Sequence, residues 1–170
     1  MATELKSEVI EAIENYVTLG NKLFATQMRM PNADFSLRGR VGGIYSSKTH
    51  SIGVNMVLLA ENTQDYLSQT IPHEVAHAFQ RHIYGSVYYG KRVMPHGNEW
   101  KRIMIKFGKD PKRCHNYDTQ NAQVRRVSRD YEYVCDCGQH NVTALLHKRM
   151  QVEHKSYRCR KCNTRLRYNG

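Results

Sequence analysis

Residues 73–77 read His73-Glu74-Val75-Ala76-His77, two histidines four positions apart with a carboxylate between them. At roughly 100° per residue, positions four apart on a helix differ by only about 40°, so both imidazoles can reach one ion. Neutral imidazole nitrogen is a good ligand for Zn²⁺, and a catalytic zinc site leaves one of about four positions to water. Glu74 is placed to take a proton from that water, whose pKa falls to about 7 on the metal, low enough for a carboxylate base. The reaction class this predicts is amide hydrolysis. Small Val75 and Ala76, followed by Phe79 and Ile83, describe a buried helix rather than a surface helix that carries two histidines by chance.

A third protein ligand has to come from elsewhere. His82 lies five residues beyond His77, about 140° around the helix, and faces away. Glu99 would supply a downstream carboxylate and takes second place. His96 stands in Pro95-His96-Gly97, after a helix stop at Gly85 and a loop containing Gly90, where a rigid turn can return a side chain to the ion. His96 is the expected third ligand.

A second set of ligand-type residues lies near the C-terminal end. Cys159-x-x-Cys162 has the bite of a zinc knuckle, and Cys135-x-Cys137 can complete a tetrahedral four-cysteine structural site. Such a site would hold together a segment too small for a core of its own. The first pair has one intervening residue instead of two, which leaves Cys137-x-x-His140 with Cys135 spare as the alternative. His147 and His154 are weaker candidates, expected to face solvent. Disulfide pairing is the competing reading, disfavoured in a reducing compartment. Cys114 stands apart and is expected to be a small apolar filler.

The elements that must position these groups follow from periodicity. Leu5, Val9, Ile13 and Val17 recur every four residues among charged neighbours, an amphipathic helix that ends before Pro31. Between Phe35 and Val54, glycines 39, 42, 43 and 53 punctuate short runs and predict a small antiparallel sheet. Helix returns around Leu58, Leu59, Tyr66 and Leu67, then through His73 to Tyr84, with Pro72 in a first turn or at a kink. A further helix begins near Asn98 and places Trp100, Ile103, Met104 and Phe107 on one side before Gly108. No period is convincing from Pro111 to Arg129, which reads as an extended connection.

The chain has 170 residues and a formal net charge of +11, enough length for one core and a metal-held appendage. Residues 109–170 carry 14 Lys/Arg against 6 Asp/Glu. Around the cysteines, Arg149, Lys155, Arg158, Arg160, Lys161, Arg165 and Arg167 alternate with Tyr157 and Tyr168. Basic groups follow phosphates and aromatic faces stack on unpaired bases, so the expected partner is single-stranded or frayed DNA. Tyr131 and Tyr133 are expected to pack within the ribbon. A charged N-terminal hexapeptide and the absence of a long apolar run argue against secretion or membrane insertion, and the expected location is the cytoplasm. A non-catalytic DNA-binding adaptor is the rival reading. A nuclease is a further one, opposed by the lack of the carboxylate cluster that two-metal phosphoryl transfer uses.

The sequence resembles the SprT-like metallopeptidase family, which groups bacterial and phage SprT proteins with the eukaryotic Spartan protease domain. The stretches that carry the resemblance are Leu37 to Gly43, Ile52 to Asn55, Leu58 to Asn62, Ile71 to His77, Tyr84-Gly85, Pro95 to Trp100, and Gly108 to His115, continuing into the ribbon. In that family the third zinc ligand is the histidine of the His-Gly pair, which corresponds to His96 and leaves Glu99 a supporting residue. The same short cysteine spacing followed by a histidine is familiar there. The resemblance implies an endopeptidase acting on DNA-associated or DNA-crosslinked proteins, with DNA as activator in Spartan-type members. The expected fold is α+β: a zincin-like helical metallopeptidase domain with a small antiparallel sheet (residues 1–115), a connection (116–130) and a C-terminal zinc ribbon (131–170), with one catalytic and one structural zinc.

Overall fold

The computed structural model describes residues 2–123 and 130–170. The described residues form two compact units, one within Met1–Val124 and one within Arg125–Gly170. The later part of the expected connection, residues 124–129, lies outside the described residues.

The first unit opens with helix α1 (Ala2–Phe24), which buries Val9, Ile13, Val17 and Gly20 along one face. Gly20 is needed by contact: a Cβ there would stand 2.3 Å from the Phe79 ring. Strands β1 (Asn32–Asp34), β2 (Gly43–Ser46) and β3 (Ser51–Val54) form one sheet in the order β1-β3-β2. The sheet is mixed, which corrects the antiparallel expectation: β2 pairs antiparallel with β3, but β1 pairs parallel with it. The polar Asn32-Ala33-Asp34 carries no alternating apolar signal, and its pairing arises because the loop to β2 carries the chain across β3 to the far edge.

Helix α2 (Met56–Glu61) starts on Asn55, whose side-chain oxygen accepts from the N–H groups of Val57 and Leu58. A short α3 (Thr63–Asp65) leads into a π-helical turn, Tyr66–Thr70, and then α4 (Ile71–Tyr84). Pro72 sits in the first turn of α4. It lacks an N–H and crowds the preceding turn, and the wider turn before it, closed by Ile71 N–H on the Tyr66 carbonyl, relieves that crowding. Gly85, at φ 67°, ends α4. A two-residue hairpin of β4 (Val87–Tyr88) and β5 (Lys91–Arg92) follows, then α5 (Asn98–Lys106).

The core of this unit gathers α1, β3, α2, α4 and α5 around Ile13, Ile52, Leu58, Phe79, Trp100 and Ile103, all fully buried. Tyr117 and Ala122, after α5, also pack against it. Among the described residues no helix is long and apolar enough to cross a membrane.

The second unit contains β6 (Asp130–Cys135), β7 (Gly138–Thr143), helix α6 (Ala144–Gln151) and β8 (Arg167–Tyr168), with sheet order β7-β6-β8, all antiparallel. Gly138 closes the β6–β7 hairpin at φ 143°, a conformation that disfavours side chains. Among the described residues of this unit the buried apolar ones are few, Tyr133, Cys135, Val142 and Cys159, so hydrophobic burial alone is a weak anchor for it.

Candidate metal centre and catalytic cleft

Helix α4 presents His73 and His77 on one line, and the turn after β5 brings His96 over them. Their Nε2 atoms are 3.2 Å apart for His73–His77 and 3.1 Å apart for each pair with His96. Trp100 lies beneath, its ring 4.7 Å from His73, 5.5 Å from His77 and 4.8 Å from His96. The turn that carries His96 is held by Gln80, which is buried and donates to the Met94 carbonyl at 2.8 Å.

Burial, with the neighbouring imidazoles, pushes His73 down to about 4 and His77 to about 3, while hydrogen bonds to the Lys112 backbone and to Gln80 work against this. His96 is lowered by burial and by Arg113. Three neutral rings thus turn the same nitrogen toward one point, where they cannot satisfy one another as donors and acceptors. Converging lone pairs suit a cation. Edges of 3.1–3.2 Å are close to the roughly 3.3 Å expected between nitrogens each about 2.0–2.1 Å from a tetrahedral Zn²⁺.

Glu74 stands beside this centre, nearly fully buried. Its Oε2 accepts the Tyr45 N–H at 2.7 Å, and its Oε1 is 3.9 Å from His73 Nε2. Burial raises it to about 7, against the lowering effect of the Tyr45 bond. Gly43 makes room for it, since a Cβ there would meet Glu74 Cγ at 2.8 Å. The Gly39–Gly43 loop is fixed from behind by buried Asn55, which donates to the carbonyls of Gly39 (2.7 Å) and Val41 (3.1 Å), and by Tyr66, whose hydroxyl donates to Gly42. Glu74, Tyr45, Gly43 and the three histidines line a cleft of about 1250 Å³ that runs from β2 to residues 110–117.

In the second unit, Cys135, Cys137, His140 and Cys159 bring their ligand atoms within 4.8 Å of one another. Cys135 Sγ is 3.3 Å from Cys137 Sγ, 3.0 Å from His140 Nε2 and 3.5 Å from Cys162 Sγ, while Cys137 and Cys159 are 3.6 Å apart. His140 joins Cys135, Cys137 and Cys159 in the tight group, and Cys162 touches Cys135 and lies 3.0 Å from Thr164 Oγ1, so all five donors meet around Cys135. Soft thiolates and an imidazole in this number suit Zn²⁺.

The family model described as the SprT-like family matches residues 13–123. The chain belongs to the SprT-like family. Among curated SprT-like relatives, Protein SprT of Shewanella oneidensis is 31% identical over 163 residues, covering 95% of this chain and 98% of that protein. Protein SprT of Yersinia pestis is 32% identical over 165 residues, covering 96% and 91%, and Protein SprT of Pseudomonas fluorescens 33% over 161 residues, covering 93% and 92%. No solved structure matches this SprT-like chain.

Several other candidate residues fall elsewhere. His82 is exposed, and Glu99 lies in the first turn of α5 outside the histidine cluster. His154 is exposed, at φ 51°. His147 is not turned to solvent as expected: it stacks on Tyr131 at 3.6 Å and 8°, and its Nδ1 is 3.2 Å from the Tyr133 hydroxyl. Cys114 is not a core filler but an exposed free thiol on the cleft wall, because the chain after α5 turns inward only at Tyr117 and Ala122. Tyr45, Gln80 and His115 line the cleft, and Trp100 packs under its histidines, without having been expected there. The Gly42-Gly43 pair was the available signal, since adjacent glycines outside a tight turn mark a close approach by something else.

Proposed function

We propose that this SprT-like protein is a zinc-dependent endopeptidase of zincin-like fold that acts on proteins associated with or crosslinked to DNA in the cytoplasm. The observation that carries the reading is the convergence of His73, His77 and His96 with buried Glu74 beside them, all opening into one cleft. Bound zinc would supply Lewis acidity toward a peptide carbonyl and lower the pKa of water to about 7. Glu74 holds Oε2 on the Tyr45 N–H, which leaves Oε1 on the histidine side to take the proton of the attacking water and return it to the departing amine. Edge strand β2 lines the same cleft through Gly43, Ile44 and Tyr45, where an extended substrate can add as a strand and be read by its backbone. A substrate complex without strand addition would sink that step.

The DNA-directed part rests on the second unit. Tyr157 and Tyr168 line a hollow of about 390 Å³ together with Lys155, Arg165 and Arg167, over the buried ring of Tyr133. Aromatic faces with a basic rim suit unpaired bases and their phosphates. The cysteine–histidine cluster, as a structural zinc site, compensates for the small core, and free thiols in all five cysteines suit a reducing compartment.

The test is cleavage of a DNA-crosslinked protein by wild type and Glu74→Gln, with and without single-stranded DNA, alongside a zinc count. Cleavage by wild type alone, stimulated by DNA, supports the reading. Both proteins inert while folded, metal-loaded and DNA-bound would favour the adaptor.

A further inference from the structure

From Asp110 to Tyr117 the chain runs without helix or strand along the cleft wall. His115 is the one histidine of this segment, and its ring is held on two sides. Its Nδ1 accepts the Tyr117 N–H at 3.3 Å, and its face stacks on Tyr117 at 4.4 Å and 17°. Tyr117 in turn stacks on buried Tyr66 at 6.1 Å and 15°, with its hydroxyl bonded to Thr70 (2.9 Å) and Asp65 (2.8 Å). With Nδ1 accepting, the proton of the neutral ring sits on Nε2. Among the described residues no hydrogen bond engages that Nε2.

The edge carrying Nε2 lies over Gly42, where a Cβ would stand 3.2 Å from Nε2 and 3.0 Å from Cδ2. At the adjacent Gly43 the same space is taken by Glu74, with Thr70 Cγ2 close to both positions, at 3.7 and 3.1 Å. Two neighbouring residues without side chains thus admit His115 and Glu74 next to each other on one cleft floor. His115 also lines the same cleft as His73. It is nevertheless outside the cluster of ligand atoms, which among the described residues comprises His73, His77 and His96. This leaves a ring N–H beside the base, off the metal cluster and on the cleft lining.

We propose that His115 donates its Nε2–H to the oxygen of the scissile carbonyl as negative charge collects there. The inference rests on the peptidase reading above. In the step it serves, the water oxygen bonds to the carbonyl carbon, the π pair moves onto the carbonyl oxygen and the water proton goes to Glu74. Collapse of that oxygen then breaks the C–N bond, and the proton passes to the leaving nitrogen. His115 keeps its proton throughout and stabilises the charged oxygen only, an interaction stronger in the transition state than in the ground state. Tyr117 is its positioning residue.

The experiment compares wild type, Glu74→Gln, His115→Ala and His115→Gln on unfolded casein with single-stranded oligonucleotide present, together with zinc content, Trp100 fluorescence and affinity for a phosphinic peptide. His115→Ala should lower kcat about 10²-fold with KM little changed and zinc and fluorescence retained. Its phosphinate affinity should fall in parallel, because that tetrahedral anion mimics the charged oxygen. His115→Gln, which keeps an amide N–H near the position of Nε2, should recover part of both losses. Wild-type kcat in His115→Ala, or a rise in KM alone, overturns the proposal while leaving the peptidase reading intact. Loss of zinc in both His115 variants overturns it in favour of a structural role. A wild type that cleaves nothing removes the peptidase reading and this inference with it.

Discussion

The carboxylate of Glu74 and the backbone N–H of Tyr45 are joined by a 2.7 Å hydrogen bond that ties helix α4 to the edge strand β2. One oxygen of the proposed base is thereby fixed and the other left on the side of the histidines. The bond also couples the base to the strand on which a substrate would lie, so a shift of β2 moves both.

Gly43→Ala tests that coupling. The new methyl would press on Glu74 Cγ at 2.8 Å and on Thr70 at 3.1 Å, so the carboxylate must move. Turnover should fall about 10²-fold, since misplacement by about 1 Å has that effect, with zinc content unchanged. A variant as active as wild type would show that the Glu74 position is not critical.

Glu74→Gln should lower turnover by about 10²- to 10⁴-fold, the range for a general base, with zinc retained. The amide oxygen can still accept from Tyr45. Because burial disfavours the charge on Glu74, holding it at about 7, the neutral amide should raise the thermal midpoint above pH 7 or leave it unchanged. A clearly lower midpoint would mean that the carboxylate has a charge partner the geometry does not reveal.

His96→Ala should reduce bound zinc from about two ions per chain to about one, because the remaining pair of imidazoles is a poor site while the cysteine cluster is untouched. Trp100, the sole tryptophan, lies against all three histidines, so its emission should change when the ion is lost. Retention of both ions would point to another third ligand, with Glu99 the first to test.

Acid should weaken the first unit once its metal is stripped. His73 and His77 are held neutral at about 4 and about 3, below the usual value of 6.5, so the unfolded chain takes up protons first as pH falls. Stability is then lost progressively from about pH 6.5 toward 4. Glu74, raised to about 7 from 4.5, has the opposite sign and recovers part of that loss between pH 7 and 4.5. Melting followed by Trp100 emission in chelator should therefore show a steeper acid decline in Glu74→Gln than in wild type. Equal slopes would count against the buried carboxylate.

In the ribbon, Cys135 Sγ touches three other donors, Cys137, His140 and Cys162. Cys135→Ser should lose the structural zinc and unfold the second unit. His140→Ala and Cys162→Ser, each leaving four donors, should retain most of it, as measured by zinc content and by circular dichroism. Full retention in Cys135→Ser would place the ion on the other four.

The chain by itself determined the elements whose signals are local. A repeat of about 3.6 residues located α1, α4 and α5, and the four-residue spacing of His73 and His77 carried both ligands onto one helical line. The Pro-His-Gly turn singled out His96 before any packing was known. What only the tertiary structure decided are contacts between segments far apart in sequence: Tyr45 on Glu74, Gln80 on Met94, Trp100 under the histidines, Tyr117 on Thr70. The parallel partner of β1 belongs here as well, since three residues, two of them polar, carry no period to read. In the ribbon the spacing named four cysteines and His140 as the main candidates, but the 3.0 Å approach of His140 to Cys135 depends on how β7 folds back on β6. The reason is physical: periodicity records which face of an element is buried, whereas the identity of the group opposite that face depends on how whole segments pack.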